Sequence, residues 1–341
     1  MPVTRANRQN GILQGVVVMK KRGFNSVFAD ELNKYLDLKI SYGFKEVSYL
    51  SNLRIFDRFC ASRKLSKPEF TREMADQWIQ MRHGEHSTTR YSRVNVAKNF
   101  LIYLINNGYD VYVTRDAAAG ASDFKPHIYS HDEIERYFSA VDSFDSRKNR
   151  KAKIQFPILF RLLYCCGTRI NETLGIRKKD VDVEGGLLKL FETKNNCQRY
   201  IVLGDDLKVL MQQFADKSFY LLADDEYIFT NVNGTRYGGD NLYEYHREFL
   251  RRAGIPYIGG GEGPRIHDWR HTFSVYAFKK MVDSGLDMYV ALPILSTYLG
   301  HKSIYATEQY VRLAMSIFPY IEEKFKAKTE EVFGGIDYEE Y

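Results

Sequence analysis

The sequence predicts a mainly α-helical protein with a small β-sheet, an α+β fold with more than one domain. Three observations support this prediction. Apolar residues recur at helical spacing over the first hundred residues and again after residue 268. Two strand-like runs flank a polar turn near residue 195. The length of 341 residues is about twice that of a typical domain, and 44% hydrophobic with 27% charged residues is an ordinary globular composition.

The first part of the chain is expected to be a polar arm, residues 1–24, followed by a helical domain over residues 25–113. Apolar periodicity predicts four helices there, at 28–40, 47–63, 72–81 and 87–106. Ser48 is the candidate N-terminal cap of the second helix. An Ala- and Gly-containing stretch over residues 114–126 is the expected linker.

The second domain is expected over residues 127–316. It begins with an acidic helical turn at 131–133 and continues through an apolar helix at 154–166, which Gly167 ends. Strands at 187–192 and 199–203 would form a hairpin. Further helices are predicted at 207–219, 242–252, 268–284, 291–299, 303–315 and 317–328. The last segment, 317–341, therefore reads as a C-terminal helix with an acidic tail.

The charge is unevenly distributed along the chain. Residues 1–123 carry a net +7, residues 124–320 a net +3 and residues 321–341 a net −4, which sum to +6. A basic surface favours a polyanionic partner such as nucleic acid. No apolar run approaches the roughly 20 residues that span a membrane, the first 15 residues lack a signal-peptide core, and the four cysteines form no CxxC pair. We expect reduced thiols and a cytoplasmic location.

The residues that carry chemistry follow one another at informative spacings. In Arg265-Ile-His267-Asp-Trp-Arg270-His271, positions 267, 270 and 271 share one face if a helix begins there. Leu299-Gly-His301 follows, and Tyr310 stands nine residues beyond that histidine. Upstream, an arginine directly follows the helix stop at Gly167, with an acidic residue close behind it.

This order and spacing resemble the tyrosine recombinases, or phage-integrase family, from about residue 25 to residue 320. The matching positions are Arg169, Lys194, His267, Arg270, His301 and Tyr310. The resemblance implies a helical core-binding domain and a catalytic domain that close as a C-shaped clamp on double-stranded DNA. It also implies a homotetramer on paired sites at the nucleoid, a 3′-phosphotyrosine intermediate, a Holliday junction, and accessory or directionality proteins as further partners.

The chemistry of these side chains suits transesterification of a phosphodiester. Arg169 and Arg270 can grip nonbridging oxygens through donors that stay charged, and His301 can add a hydrogen bond. His267 is the candidate acceptor for the proton of the Tyr310 hydroxyl, whose ordinary pKa is about 10. A covalent phosphotyrosine keeps the bond energy for rejoining, so neither a cofactor nor a metal is expected.

Several assignments have competitors. The resemblance implies that Lys194, on the hairpin turn, is the general acid that protonates the leaving oxygen. Lys189 is the alternative candidate for this role. Tyr305 misses the family spacing and is expected to serve packing or phosphate contact. His267 and His271 could be zinc ligands, but the sequence offers no further ligands at zinc spacing. The resemblance instead implies that His271 and Glu172 support the catalytic groups, Glu172 by a buried ion pair.

Candidate DNA contacts lie in the first domain, on or beside helices with apolar opposite faces. They are Lys45, Arg90, Arg93 and Lys98. In the C-terminal segment Ile317, Ile321 and Phe325 form an apolar stripe, which would dock on a neighbouring protomer, as in relatives, or pack in cis.

The predicted function is a site-specific recombinase that integrates, excises, transposes or resolves a DNA element. The alternatives are a non-cutting architectural DNA-binding protein on the same scaffold and a type IB topoisomerase. Trp269 and Val311-Arg312 depart from the family pattern without removing a catalytic group. The short arm favours Xer-like or transposon-encoded relatives over lambda-like ones.

Overall fold

The computed structural model describes residues 22–118, 125–147, 149–191, 198–259, 263–301 and 303–323. The chain divides into two compact units, Met1–Phe124 and Lys125–Tyr341. Both are mainly helical and the second holds one small sheet, which confirms the predicted fold class. Most of the predicted arm, the hairpin turn with Lys194, and the acidic tail with Phe325 lie outside the described residues.

The described residues of the first unit form four helices. They are α1 Ala29–Ser41, α2 Glu46–Ala61, α3 Arg72–Ile79 and α4 Ser87–Asn106. Their apolar faces meet in an aromatic core in which Phe56 contacts the rings of Trp78 and Phe100, with centroids 5.3 and 5.6 Å away. The predicted cap is wrong: α2 begins at Glu46, so Ser48 lies inside its first turn.

The second unit opens with α5 and α6, which position the first arginine of the candidate site. The bounds are α5 His131–Asp142, α6 Arg150–Cys165 and α7 Ile170–Leu174. Ser130 and Glu133 form a reciprocal capping box at α5. The Asn149 side chain caps α6 by accepting from the Ala152 amide at 3.2 Å, which is why α6 starts before the predicted residue 154.

The sheet has three antiparallel strands in the order β1-β2-β3. They are β1 Val181–Asp182, β2 Leu187–Leu190 and β3 Arg199–Val202. Leu188 pairs with Ile201 in the β2–β3 register, and both side chains are buried. The hairpin is thus present as predicted, with one added strand of two residues.

Five more named helices lie in the part of the second unit that the structure describes. They are α8 Asp205–Ser218, α9 Gly239–Arg252, α10 Asp268–Asp283, α11 Met288–Leu299 and α12 Tyr305–Ile317, and residues 319–323 are again helical. Trp269 is fully buried and stacks on Tyr129 at 3.8 Å, so this departure from the family pattern fills the core. Ile321 packs in cis against the core that α10, α11 and α12 share, whereas Ile317 is 40% exposed.

No helix in the described parts of the chain combines the length and apolar character needed to cross a bilayer. Cys60, Cys165 and Cys166 are free thiols, and Cys197 lies outside the described residues.

Candidate active site

Arg270 is the centre of the site and ties three helix ends together. It lies in the first turn of α10 and is 1% exposed. Its Nη1 donates to the Gly167 carbonyl at 2.6 Å, just beyond α6, and its Nη2 donates to the Leu299 carbonyl at 2.7 Å, the last residue of α11. Burial, and then the charge of Arg169, lower the pKa of Arg270 to about 10.

No carboxylate in the described ranges forms an ion pair with Arg270. A buried cation without an opposite charge is costly unless a ligand supplies one. The Arg270 guanidinium is therefore arranged for an anion that comes from outside the chain.

His301 lies against Arg270. It follows Gly300, whose left-handed φ of +67° ends α11 and turns the chain toward the site. The Arg270 Nη2 lies 3.1 Å from His301 Nε2, and His301 Nδ1 lies 2.7 Å from the Thr307 hydroxyl. Since arginine can only donate, Nε2 accepts and Nδ1 carries the hydrogen toward Thr307. Burial lowers the pKa of His301 to about 4, so the ring is neutral at physiological pH.

Tyr310 stands on α12 beside these groups and is 1% exposed. Its ring stacks at 6.2 Å on His301 and lies 5.5 Å from the ring of His271. Burial raises the pKa of the Tyr310 hydroxyl, while the charge of Arg270 and hydrogen bonding from Ser274 act in the opposite direction. The side chain of the predicted nucleophile is thus buried in the protein without DNA.

Arg169 supplies the second cation of the site and is paired with Glu172. Arg169 is the N-cap residue of α7, and its Nη1 donates to Glu172 Oε1 at 2.6 Å while its backbone amide donates to Oε2 at 3.0 Å. The Glu172 side chain is 1% exposed. Both residues lie just beyond Gly167, whose carbonyl Arg270 also holds. This is a buried ion pair of the kind that the family resemblance implies for Glu172.

The structure adds Arg199, which the sequence reasoning missed. At the start of β3, its Nη2 donates to Glu172 Oε2 at 2.7 Å and its Nη1 to Oε1 at 3.2 Å. The two residues are 27 positions apart, so no local spacing shows the contact. The available signal was a lone arginine on the strand that leaves the predicted hairpin turn.

The two histidines of the central motif differ in exposure. His267 is the exposed N-cap residue of α10, and His271 is 6% exposed. Their rings meet edge-on at 4.9 Å. Burial, followed by the charges of His267 and Arg270, lowers the pKa of His271 to about 3. In the described part of the chain no cluster of metal-binding side chains forms around them.

The competing residues are also located. Lys189 lies on β2, its Nζ 4.6 Å from the centroid of the Phe191 ring. Lys194 is outside the described residues. Tyr305 is 79% exposed, so of the two roles predicted for it packing is excluded and phosphate contact stays a prediction.

The family model described as "Phage integrase family" matches residues 128–316, more than half of the sequence. The chain belongs to the phage integrase family. The resemblance to tyrosine recombinases is thereby confirmed, and site-specific recombination is the activity that this family supports. The matched segment contains Arg169, Arg270, His301 and Tyr310, the groups that the fold brings together.

Two curated relatives align over most of their own length. The putative integrase/recombinase y4rB of Sinorhizobium fredii is 27% identical over 305 residues, covering 84% of this chain and 93% of the relative. The tyrosine recombinase XerC of Staphylococcus saprophyticus is 23% identical over 290 residues, covering 81% and 90%.

Solved structures share the fold. The XerH site-specific recombinase bound to a palindromic difH substrate, in a post-cleavage complex, matches with a TM-score of 0.61 at 18% identity, covering 78% of this chain and 75% of that one. The Tn1549 transposon integrase, in complex with a circular-intermediate DNA, matches with a TM-score of 0.59 at 15% identity, covering 84% and 94%.

The prediction that Arg93 contacts DNA is wrong. Arg93 is 1% exposed, its Nε and Nη2 bind both carboxylate oxygens of Glu85 at 2.7 Å, and its other donors bind the carbonyls of Trp78 and Gln80. Four of the five N–H donors of Arg93 are used in these bonds, and the residue is buried, so a phosphate cannot reach it. Arg93 instead ties α4 to the segment between α3 and α4.

The other three predicted contacts differ in how free they are. Lys45 is exposed at the N-cap position of α2. The Nε of Arg90 donates to the Ile79 carbonyl at 2.8 Å in a half-buried setting. Lys98 pairs with the exposed Asp116 at 2.7 Å. These three contacts stay predictions.

Proposed function

We propose that the chain cleaves and rejoins double-stranded DNA at specific sites through a covalent bond between Tyr310 and a 3′-phosphate. The observation that carries this proposal is Arg270, a buried cation with no carboxylate partner in the described residues, next to a buried tyrosine. An anion site beside a hydroxyl nucleophile is the arrangement that phosphoryl transfer requires.

Each step uses a named group. Arg169 and Arg270 bind the nonbridging oxygens and balance the charge that grows on them in the transition state. The Tyr310 oxygen attacks phosphorus and its proton passes to His267. The bond from phosphorus to the 5′-oxygen breaks, and that oxygen takes a proton from Lys194. Attack by a 5′-hydroxyl then reverses the sequence and releases the tyrosine.

Tyr310 must reach the phosphate for this step. Since its side chain is 1% exposed, we propose that α12 shifts when DNA occupies the cationic site.

We further propose that four copies assemble on paired sites and exchange strands through a Holliday junction. A lambda integrase tetramer bound to such a junction shares the fold with a TM-score of 0.56 at 18% identity. In the first unit Lys45, Arg90 and Lys98 would contact phosphates. The proposed role is movement or resolution of a DNA element in the cytoplasm, at the nucleoid.

The test is a trapping experiment with nicked suicide substrates made from the DNA that flanks the gene for this chain. Cleavage beside the nick releases a short fragment, so an SDS-resistant adduct accumulates. We expect this adduct in EDTA from the wild type and none from Tyr310→Phe.

Two other results would point to different functions. DNA binding without an adduct on any flanking sequence would indicate an architectural protein. Relaxation of supercoiled plasmids that lack this flanking DNA would indicate a type IB topoisomerase.

A further inference from the structure

Two arginines share the buried carboxylate of Glu172. Arg169 donates to Oε1 at 2.6 Å through its Nη1, and Arg199 donates to Oε2 at 2.7 Å and to Oε1 at 3.2 Å. The side chains of the two arginines are 15% and 11% exposed, and that of Glu172 is 1% exposed. The three groups form one buried unit of two cations and one anion.

The charge of this unit depends on Arg199. With both arginines present it carries a net positive charge beside Arg270. If Arg199 were neutral, the carboxylate would face Arg169 alone and cancel its charge at the position where a phosphate is to bind. Burial raises the pKa of Glu172, but Arg199, more than Arg169, lowers it below the ordinary value, so the carboxylate stays ionised.

Arg199 also lies against the turn that carries His301. A Cβ built on Gly300 would lie 3.1 Å from Arg199 Nη1. The guanidinium therefore fills the space beside that glycine, between Glu172 and the end of α11. A shorter side chain would leave that space empty.

We propose that Arg199 is a positioning residue that occupies the Glu172 carboxylate, so that Arg169 keeps its positive charge and its remaining donors for the scissile phosphate. The inference deepens the proposed function and rests on it for the identity of the phosphate. It assigns Arg199 no contact with the reacting atoms.

The decisive test is a charge rescue. Arg199→Gln removes the cation and leaves Glu172 free to neutralise Arg169. In the double variant Arg199→Gln/Glu172→Gln that anion is gone as well, while the glutamine oxygen can still accept from Arg169. A purely structural role predicts that the double variant is no better than the single one; the proposed role predicts recovery.

Binding of inorganic phosphate measures the effect without chemistry. The signal is the calorimetric binding that disappears in Arg169→Gln. We expect Arg199→Gln to weaken it by about tenfold, the usual size of one neighbouring buried charge, and the double variant to return to within about threefold of the wild type. The matched control is Arg161→Gln, which breaks a bidentate ion pair to Asp142 elsewhere in the second structural unit, Lys125–Tyr341. This variant should leave phosphate binding unchanged.

Arg199→Lys covers the case in which Arg199→Gln does not fold. It keeps the charge without the fork, so phosphate binding should stay within about threefold of the wild type. A tenfold loss in Arg199→Lys would contradict the proposal. So would undetectable Arg169-dependent phosphate binding in the wild type, wild-type binding in Arg199→Gln, or a double variant as weak as the single one.

Adduct formation on the suicide substrates separates this inference from the proposed function. If the phosphate pattern appears but the wild type forms no adduct, the proposed function fails and the role of Arg199 in anion binding stands. If the wild type forms adducts and Arg199→Gln forms them equally fast, the inference about Arg199 fails and the proposed function stands.

Discussion

Two equally buried arginines should lose different amounts of stability when their charge is removed. Arg270 and Arg93 are each 1% exposed. Arg93 is neutralised by Glu85, whose side chain is 7% exposed, whereas Arg270 donates to the carbonyls of Gly167 and Leu299 and to the ring of His301, and no carboxylate in the described residues pairs with it. If Arg270 is kept for a phosphate, its burial costs the free protein stability that a neutral residue would recover. The perturbation is the pair of variants Arg270→Met and Arg93→Met.

The expected magnitudes follow from these partners. In Arg93→Met the buried Glu85 loses its cation, which costs about 3–5 kcal/mol. Two carbonyls also lose donors in each variant, at about 1–3 kcal/mol apiece. In Arg270→Met this loss is offset by removal of a buried charge: the fall of the Arg270 pKa from 12.5 to about 10 corresponds to about 3 kcal/mol. We expect Arg93→Met to lower the free energy of unfolding by at least about 2 kcal/mol more than Arg270→Met.

The assay uses the two tryptophans of the chain. Trp78 lies in the first unit, 4.8 Å from the Arg93 guanidinium, and Trp269 lies beside Arg270 in the second. Labelling with 5-fluorotryptophan gives one ¹⁹F signal for each unit, so urea unfolding can be followed separately in the two. Arg270→Met should also abolish the covalent adduct. Equal destabilisation by the two variants would refute the idea that Arg270 is an uncompensated cation held for a ligand.

Three further predictions follow from single contacts. Burial lowers the pKa of His246 to about 3 from an unfolded value near 6.5, so the folded state loses stability as pH falls below about 6.5. Between pH 7.5 and 5, the free energy of unfolding in urea should fall by about 2 kcal/mol less in His246→Gln than in the wild type. Equal losses in the two proteins would contradict this. Tyr310→Phe removes one hydroxyl and no cation, so DNA affinity in a gel-shift assay should change by less than about 1 kcal/mol; a larger loss would mean that the hydroxyl binds DNA. Gly300→Ala combines backbone strain at φ +67° with a Cβ contact 3.1 Å from Arg199 Nη1, whereas the Cβ of Gly285→Ala, at φ +86°, meets nothing within 4 Å. In thermal melts Gly300→Ala should therefore be less stable than Gly285→Ala by about 1 kcal/mol or more. Equal melting temperatures of the two variants would exclude the close contact.

Local signals in the sequence predicted most of the helices and the hairpin. The bounds of α4 agree with the predicted 87–106, because Asn107 and Gly108 end the apolar periodicity clearly. The start of α6 was missed because its cap, Asn149, precedes a polar first turn without apolar periodicity. Strand β1 was missed because two residues are too short to show a period of two.

The contacts that the sequence could not show are those between distant positions. Arg199 and Glu172 are 27 residues apart, and their ion pair exists only because β3 lies beside α7 in the fold. Arg93 was assigned to DNA because its helix carries basic residues opposite an apolar face. The spacing could not reveal that Glu85, in the preceding segment, turns back to bind it. Charge alone does not separate an arginine that binds a phosphate from one that closes an internal ion pair.

The assignment of Tyr310 as the nucleophile can be tested directly by mapping the covalent DNA adduct to one residue. The adduct formed in EDTA on a nicked substrate would be digested and its nucleotide-linked peptide sequenced by mass spectrometry. We expect attachment at Tyr310, the buried tyrosine beside Arg270 and His301. Attachment at the exposed Tyr305, five residues earlier on α12, would contradict the assignment of the nucleophile and the geometry built around it.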